Sequence, residues 1–131
     1  MTHHREELRV EGVAEPISHY TDAVKAGGLL FVSGLVPVDA DGKVVGEGDV
    51  VEQTRQIFRN MELALRAGGC GFADVVKVTT FLLDVNDRAR INPVRQEVFG
   101  DARPASTLVE VSALAVPGAL LEIEAVAAIP S

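Results

Sequence analysis

The sequence predicts an α+β sandwich in which two helices cover one face of a mixed β-sheet. Two segments, one after Asp49 and one before Gly100, carry apolar residues at helical spacing. Between and around them lie short apolar segments rich in β-branched residues, which are typical of strands. With 131 residues, 47% of them hydrophobic, the chain fits one compact domain over residues 1–131 with its own core.

The predicted strands differ in character. The segment DVVKVTTFLLDV is β-branched and apolar, which suits a central strand. Val36 to Val45 straddle Asp-Ala-Asp-Gly, a sequence typical of a hairpin turn. The strands are expected at residues 6–11, 29–33, 74–85, 105–111 and 119–128.

The last strand lies in the segment GALLEIEAVA at residues 118–127 and carries two carboxylates. Side chains alternate along a strand, so Leu121, Ile123 and Ala125 point to one face. Glu122 and Glu124 point to the other face. That polar face either meets water, the ordinary arrangement for carboxylates, or lines a cleft.

The first helix has a sharply divided surface. Asp49 followed three residues later by Glu52 predicts a capping box at its start, and Gly68-Gly69 predicts its end. Its apolar face comprises Thr54, Ile57, Phe58, Met61, Ala64 and Leu65, and its polar face Glu52, Arg55, Arg59 and Glu62.

The second helix is expected to begin at Asn92 and to end at Gly100. Proline is tolerated in the first turn, which makes Asn92 the N-cap and Pro93 the first helical residue. The residues then facing the sheet are Val94, Val98 and Phe99. Helices on one face leave the other sheet face uncovered, and its apolar content predicts that another copy of the chain covers it in a small symmetric oligomer.

The charge disfavours polyanionic partners. The 19 acidic and 12 basic residues give a formal charge of −7, so neither nucleic acid nor an anionic membrane is expected as a primary partner. The start, MTHHREELRV, has no apolar stretch for export, and no run is long enough to span a bilayer. The expected location is the cytoplasm.

The sequence offers no pattern of metal ligands. Cys70 is the single cysteine and sits in GGCG without a basic neighbour, so it is expected to be a small residue in a turn. The histidines are His3 and His4, at a terminus expected to fray, and His19. None of them falls at metal-ligand spacing with other ligands, so no metal is expected.

Four stretches resemble the Rid family of reactive-intermediate deaminases, also called YjgF or L-PSP proteins. They are HYTDAV at 19–24, LLFVSGLVPVD at 29–39, DVVKVTTFLLDVND at 74–87 followed by Asn92, and RPASTLVEVSAL with LLEIEAVA at 103–127. The resemblance implies a homotrimer of chorismate-mutase-like subunits with three clefts between neighbours and without metal or organic cofactor. It also implies hydrolysis of small reactive imines or enamines to carbonyl compounds and ammonia.

The resemblance assigns cleft positions residue by residue. The family tyrosine matches Tyr20, the Ser-Gly pair Ser33 and Gly34, the asparagine Asn92 and the carboxylate Glu122. Glu122 and the Tyr20 hydroxyl would then hold a water for attack on a C=N carbon.

One position departs from the family. Where the imine deaminases carry an arginine that grips the substrate carboxylate, this chain has Ser106, and Leu108 stands where cysteine is common. A serine hydroxyl replaces a two-pronged charged donor, a loss of about 1.5–3 kcal/mol in substrate binding. The resemblance therefore predicts a substrate other than the standard 2-imino acid, oriented by Ser33, Asn92, Ser106 and backbone N–H groups near Thr107 and Leu108.

Each matched residue also has an ordinary explanation. Asn92 serves as a helix cap, Ser33 and Gly34 end a strand, and Tyr20 is a core aromatic with an exposed hydroxyl. His19 and Arg103 are open candidates, as an acid/base and as a substitute anchor, or plain surface residues. Two other functions stay open: a metabolite-binding trimer without chemistry, and, more weakly, a ribonuclease or translation inhibitor.

Overall fold

The structure is a computed structural model and describes residues 4–131, so His3 lies outside the described residues. Its strands are β1 (Arg5–Leu8), β2 (Ala23–Ala26), β3 (Leu29–Leu35), β4 (Val75–Leu82), β5 (Ala105–Glu110) and β6 (Leu121–Ala128). Its α-helices are α1 (Val50–Ala67) and α2 (Arg88–Phe99), and two 3₁₀ turns cover Phe72–Asp74 and Val85–Asp87.

The six strands form one mixed sheet in the order β1-β2-β3-β6-β4-β5. Every neighbouring pair is antiparallel except β4 and β5, which are parallel and joined through α2. The two helices pack on one face of this sheet, and the predicted α+β class is confirmed. The C-terminal strand β6 lies between β3 and β4, in the middle of the sheet.

Strand β6 alternates as predicted. Leu121, Ile123 and Ala125 are buried against the helices, while Glu124 is exposed and Glu122 is half-buried on the opposite face. The alternation follows from the two-residue repeat of an extended chain. The face that carries the two carboxylates is therefore the one that the helices leave uncovered.

Helix α1 begins and ends as predicted and has the predicted buried face, but only half of the predicted capping box forms, because the Asp49 N–H donates to the Gly46 carbonyl and not to Glu52. The Asp49 carboxylate accepts hydrogen bonds from the backbone N–H groups of Val51 and Glu52, both at 3.1 Å. Gly68 is the C-cap. All six residues of the predicted apolar face are buried, and burial of each large apolar side chain stabilises the fold by about 1.5–3 kcal/mol.

The predicted start of α2 is wrong. The helix begins at Arg88, so Asn92 is not its N-cap and Pro93 lies inside it. Pro93 leaves the Ala89 carbonyl without its helical partner, but both residues are exposed, so water can solvate that carbonyl. The predicted core contacts persist, since Val94 and Phe99 are buried and Val98 packs against the core.

The N-terminal half differs in detail from the prediction. The first strand is shorter than residues 6–11, and β2, with the sequence AVKA, was not predicted because four residues show too little periodicity. The predicted hairpin after β3 is present as a bridge between Val38 and Val44. Gly42 in its turn has φ +83°, a conformation that favours glycine.

Two features complete the frame around the site. The rings of Phe58, Phe72 and Phe99 meet edge to face at 5.6–6.1 Å and fix α1 against α2. On the sheet, Phe31 is 44% exposed and Val109 is 39% exposed, so apolar side chains face outward. No helix in residues 4–131 is long and apolar enough to cross a membrane.

Candidate active site

A cleft of about 980 Å³ opens beside the C-terminal end of β3. The loop before β2, the end of β3, the hairpin that follows it and the loop before β6 form its walls. Four of the predicted site residues line it together: Tyr20, Ser33, Gly34 and Glu122. The remaining wall is largely apolar and includes Val13, Pro16, Ile17, Val36, Val38 and Val116.

The Glu122 carboxylate packs over the bare backbone of Gly34. A Cβ atom at Gly34 would lie 2.3 Å from Glu122 Oε2 and 2.9 Å from Cδ, closer than any real side chain is found. The φ of Gly34 is not positive, so the glycine is needed for space and not for an unusual backbone angle. The pairing of β3 with β6 shifts register between Val32 and Leu35, beside this contact.

The surroundings of Glu122 favour its protonated form. Burial raises the pKa of Glu122, and the neighbouring charge of Glu124 raises it further. A carboxylate with a raised pKa is a stronger base than an exposed one. Such a group can accept a proton from a water molecule in the cleft.

Two residues with hydroxyl groups line the same cleft as this carboxylate. Tyr20 is 48% exposed, and its oxygen accepts only a long 3.4 Å hydrogen bond from the Ile17 N–H, so its own proton is free to be donated. Ser33 donates to the Thr21 carbonyl at 2.6 Å. The serine proton is thus committed to the backbone, and only the lone pairs of Ser33 are open to a ligand.

The other predicted site residues do not line this cleft. Asn92 lies on the exposed surface of α2, and Ser106, Thr107 and Leu108 lie on β5. Strand β5 is separated from β6 by β4, so β5 and β6 are roughly 10 Å apart across the sheet. Within one chain, the predicted site residues therefore fall into two groups.

The β5 residues offer different atoms to a ligand. Thr107 Oγ1 accepts from Lys77 Nζ at 2.6 Å, and the Leu108 side chain packs against the core. The Val111 N–H bonds to Leu82 of β4, so by alternation the N–H groups of Ser106 and Leu108 point to the free edge of the sheet. The Thr107 N–H points to the other side of the strand, towards β4.

The sequence reasoning missed Arg95. Its Nη2 donates to Ser106 Oγ at 2.8 Å, which brings a guanidinium to the position where the resemblance had predicted its loss. Arg95 follows Asn92 by three residues and so shares its helix face. The three-residue spacing between Asn92 and Arg95 is visible in the sequence. The position of Arg95 relative to β5 could not be derived from it, because the predicted start of α2 was wrong.

The open candidates lie outside the cleft. His19 and Arg103 are exposed and do not line it. Cys70 is buried, and burial raises the pKa of its thiol, in line with an unreactive residue. Within residues 4–131, no three His, Cys, Asp or Glu side chains are grouped closely enough to hold a metal ion.

Comparison with known proteins identifies the family to which this chain belongs. The family model described as Endoribonuclease L-PSP matches residues 12–129. The chain belongs to the L-PSP family. Membership of the Rid family, predicted from the four motifs, is confirmed by this match and by the solved structure of a Rid family protein described below.

Relatives of this L-PSP protein match most of its length. A RutC family protein of Pyrococcus horikoshii is 42% identical over 123 residues, covering 94% of this chain and 97% of that protein. The 3-aminoacrylate deaminase RutC of Acinetobacter baylyi is 37% identical over 123 residues, with the same two coverages of 94% and 97%. The crystal structure of the Rid family protein YyfA from Yersinia pestis has a TM-score of 0.90 and 32% identity, covering 96% of this chain and 100% of that one.

Proposed function

We propose that this L-PSP protein hydrolyses a small reactive imine or enamine to a carbonyl compound and ammonia. The observation that carries the proposal is the Glu122 carboxylate, half-buried over Gly34 in a cleft it shares with the Tyr20 hydroxyl. The 3-aminoacrylate deaminase among its relatives supports the reaction class. The cytoplasm is the proposed location.

The proposed reaction needs only water and proton transfers. Glu122 accepts a proton from water while the water oxygen forms a bond to the C=N carbon, and Glu122 then passes that proton to the nitrogen, which gives a carbinolamine. Transfer of the carbinolamine hydroxyl proton to the amine, again by way of Glu122, lets the C–N bond break, and ammonia leaves as the carbonyl forms. An enamine enters the same sequence after its carbon is protonated to give the imine. Tyr20 orients the water and takes no net charge.

We further propose that a second copy of the chain completes the cleft, in a homotrimer. The group on α2 and β5, which includes Asn92 and Ser106, is separated from the Glu122 cleft within one chain. Outward-facing Phe31 and Val109 leave apolar sheet surface for a neighbouring copy to cover. In such an assembly, Asn92, Ser106 and the Leu108 N–H of one subunit would face the carboxylate of another.

The substrate is proposed to be bound without an arginine at position 106. Ser106 and the outward N–H groups of β5 then supply neutral hydrogen bonds. The net charge of −7 argues against RNA as the substrate. A ribonuclease would instead bind RNA with a steep dependence on salt concentration.

The test is ammonia release from freshly generated 2-iminopropanoate, 2-iminobutanoate and 3-aminoacrylate. We expect Glu122→Ala to lower turnover at least about 100-fold with the oligomer unchanged by light scattering, because a general base contributes roughly 10²–10⁴-fold. Glu124→Ala, on the same face of β6 but exposed, is the matched control; it removes only the smaller cause of the raised pKa of Glu122 and is expected to keep most of the activity. Full activity of Glu122→Ala would refute the mechanism.

Two further outcomes identify the alternatives. If the native protein releases no ammonia but Ser106→Arg does, the scaffold is competent and the natural substrate is not a 2-imino acid. If neither releases ammonia while the native protein binds the product acids, the cleft is a metabolite-binding site and the hydrolase proposal fails.

A further inference from the structure

Arg95 is a partly buried cation without a carboxylate partner. Among the described residues, no Asp or Glu oxygen lies within 4.0 Å of its guanidinium, whereas Arg55 pairs with Glu97 and Arg66 with Glu62. Burial also lowers the pKa of Arg95, which reflects partial loss of hydration around the charge. A guanidinium in this state is stabilised by any anion that reaches it.

The donors of Arg95 are mostly unused. A guanidinium carries five N–H donors, and the one that is engaged with another described side chain goes from Nη2 to Ser106 Oγ at 2.8 Å. The planar fork matches the two oxygens of a carboxylate. Ser106 fixes one nitrogen and leaves the others available.

Arg95 joins two positions that the resemblance assigns to the substrate. Asn92 lies three residues before it on the same face of α2, and Ser106 touches it directly. We call Asn92, Arg95 and Ser106 the α2–β5 patch. The patch thus contains a cation at the edge of β5, although position 106 itself holds serine.

Other cations near β5 are placed differently. Lys77 donates to Thr107, which points to the opposite face of β5 from Ser106. Arg103 is exposed, and no hydrogen bond or ion pair joins it to the patch among the described residues. Arg95 is therefore the cation that the fold holds against Ser106.

We propose that Arg95 binds the anionic end of the substrate, with Ser106 as the residue that positions it. The guanidinium is supplied by α2 in place of an arginine on β5. This inference rests on the proposed function, because it takes the α2–β5 patch to be part of the substrate cleft. It replaces the expectation that the substrate is other than the standard 2-imino acid because Ser106 stands where the family has arginine: the carboxylate is held from the helix side of the strand.

The test compares binding of 2-oxobutanoate with that of its neutral amide, 2-oxobutanamide, by calorimetric titration. The variants are Arg95→Gln and the matched control Arg103→Gln, which removes the same charge from an exposed site. We expect Arg95→Gln to weaken acid binding 10- to 100-fold, the effect of losing a charged hydrogen-bonded pair. Arg103→Gln and the native protein should bind the acid equally, and all three should bind the amide equally.

A second measurement uses the native protein, so its result does not depend on whether the Arg95→Gln variant folds. In ¹⁵N-labelled protein, the arginine Nε resonance that is missing from Arg95→Lys should shift when 2-oxobutanoate is added and stay in place with the amide. Acid binding by Arg95→Gln within twofold of native, a loss in Arg103→Gln instead, or equal native binding of acid and amide would overturn the inference.

Ammonia release measured in parallel separates this inference from the proposed function. Arg95-dependent acid binding without ammonia release refutes the hydrolysis and supports the anion site. Ammonia release from 2-iminobutanoate with an unchanged KM in Arg95→Gln supports the hydrolysis and overturns the anion site.

Discussion

Replacing Gly34 by alanine is expected to move the Glu122 carboxylate without unfolding the protein. The added Cβ would lie 2.3 Å from Oε2, and ordinary van der Waals contact begins at 3.4 Å, so the carboxylate must retreat by about 1 Å. The atoms that clash belong to the end of a flexible side chain, and turning it off its rotamer costs about 0.5–1.5 kcal/mol. Alanine restores about 0.5–1 kcal/mol that glycine loses in a strand.

The two contributions to folding stability nearly cancel, but activity has no such compensation. A displacement of 1 Å at a reacting group lowers kcat/KM by about 100-fold, or about 2.7 kcal/mol of transition-state stabilisation. We therefore expect Gly34→Ala to unfold in urea within about 1 kcal/mol of the native protein and to release ammonia about 100-fold more slowly.

The matched control is Gly71→Ala, because a Cβ there meets nothing within 4 Å and φ is −130°. In a Glu122→Ala background, where the clashing atoms are gone, Gly34→Ala should have no further effect on activity and should raise the free energy of unfolding by about 0.5–1 kcal/mol. Native turnover by Gly34→Ala would refute the claim that the position of the Glu122 carboxylate limits the reaction. A stability loss of several kcal/mol would show that Glu122 cannot move aside.

The charge of Glu122 and the contacts of Gln53 give two further predictions. Because burial and Glu124 raise the pKa of Glu122, its ionisation opposes folding. Glu122→Gln should therefore have a higher Tm than the native protein at pH 7, and the two Tm values should converge below the ordinary pKa of 4.5. A Tm difference that grows on acidification would contradict this. Gln53→Ala should lower the free energy of unfolding in urea by about 1–3 kcal/mol more than the exposed control Gln96→Ala, and equal losses would contradict it. The fully buried Gln53 amide bonds to backbone groups of Gly46, Gly118 and Leu120.

Local sequence signals predicted helix α1 and strand β6 well, because each depends on neighbours within one or two turns. The Asp49 cap, the Gly68 end and the buried face of α1 all follow from side-chain spacing. The alternation of Leu121, Glu122 and Ile123 follows from strand geometry. The start of α2 was wrongly predicted because proline usually lies in the first turn of a helix. Pro93 instead lies inside a helix at an exposed position, where water can solvate the carbonyl that loses its hydrogen bond.

The candidate site was predicted residue by residue, but its layout was not. The family motifs identified Tyr20, Gly34 and Glu122 as site residues, but they gave no distance between these residues. The packing of the Glu122 carboxylate over Gly34 requires β3 and β6 to be neighbours, although about 90 residues separate them in the chain. Arg95 was missed because its contact with Ser106 depends on the position of α2 relative to β5 in the folded chain.

The sequence by itself determined the fold class, the family and the chemistry available at each matched position, because periodicity, caps and motifs are properties of short segments. Only the tertiary structure decided which segments meet. It placed β6 between β3 and β4, set Glu122 against the one residue small enough to lie beneath it, and brought the Arg95 guanidinium to Ser106. The physical reason is that strand order and helix docking are selected by burial of the whole core, a sum over contacts between residues distant in the chain.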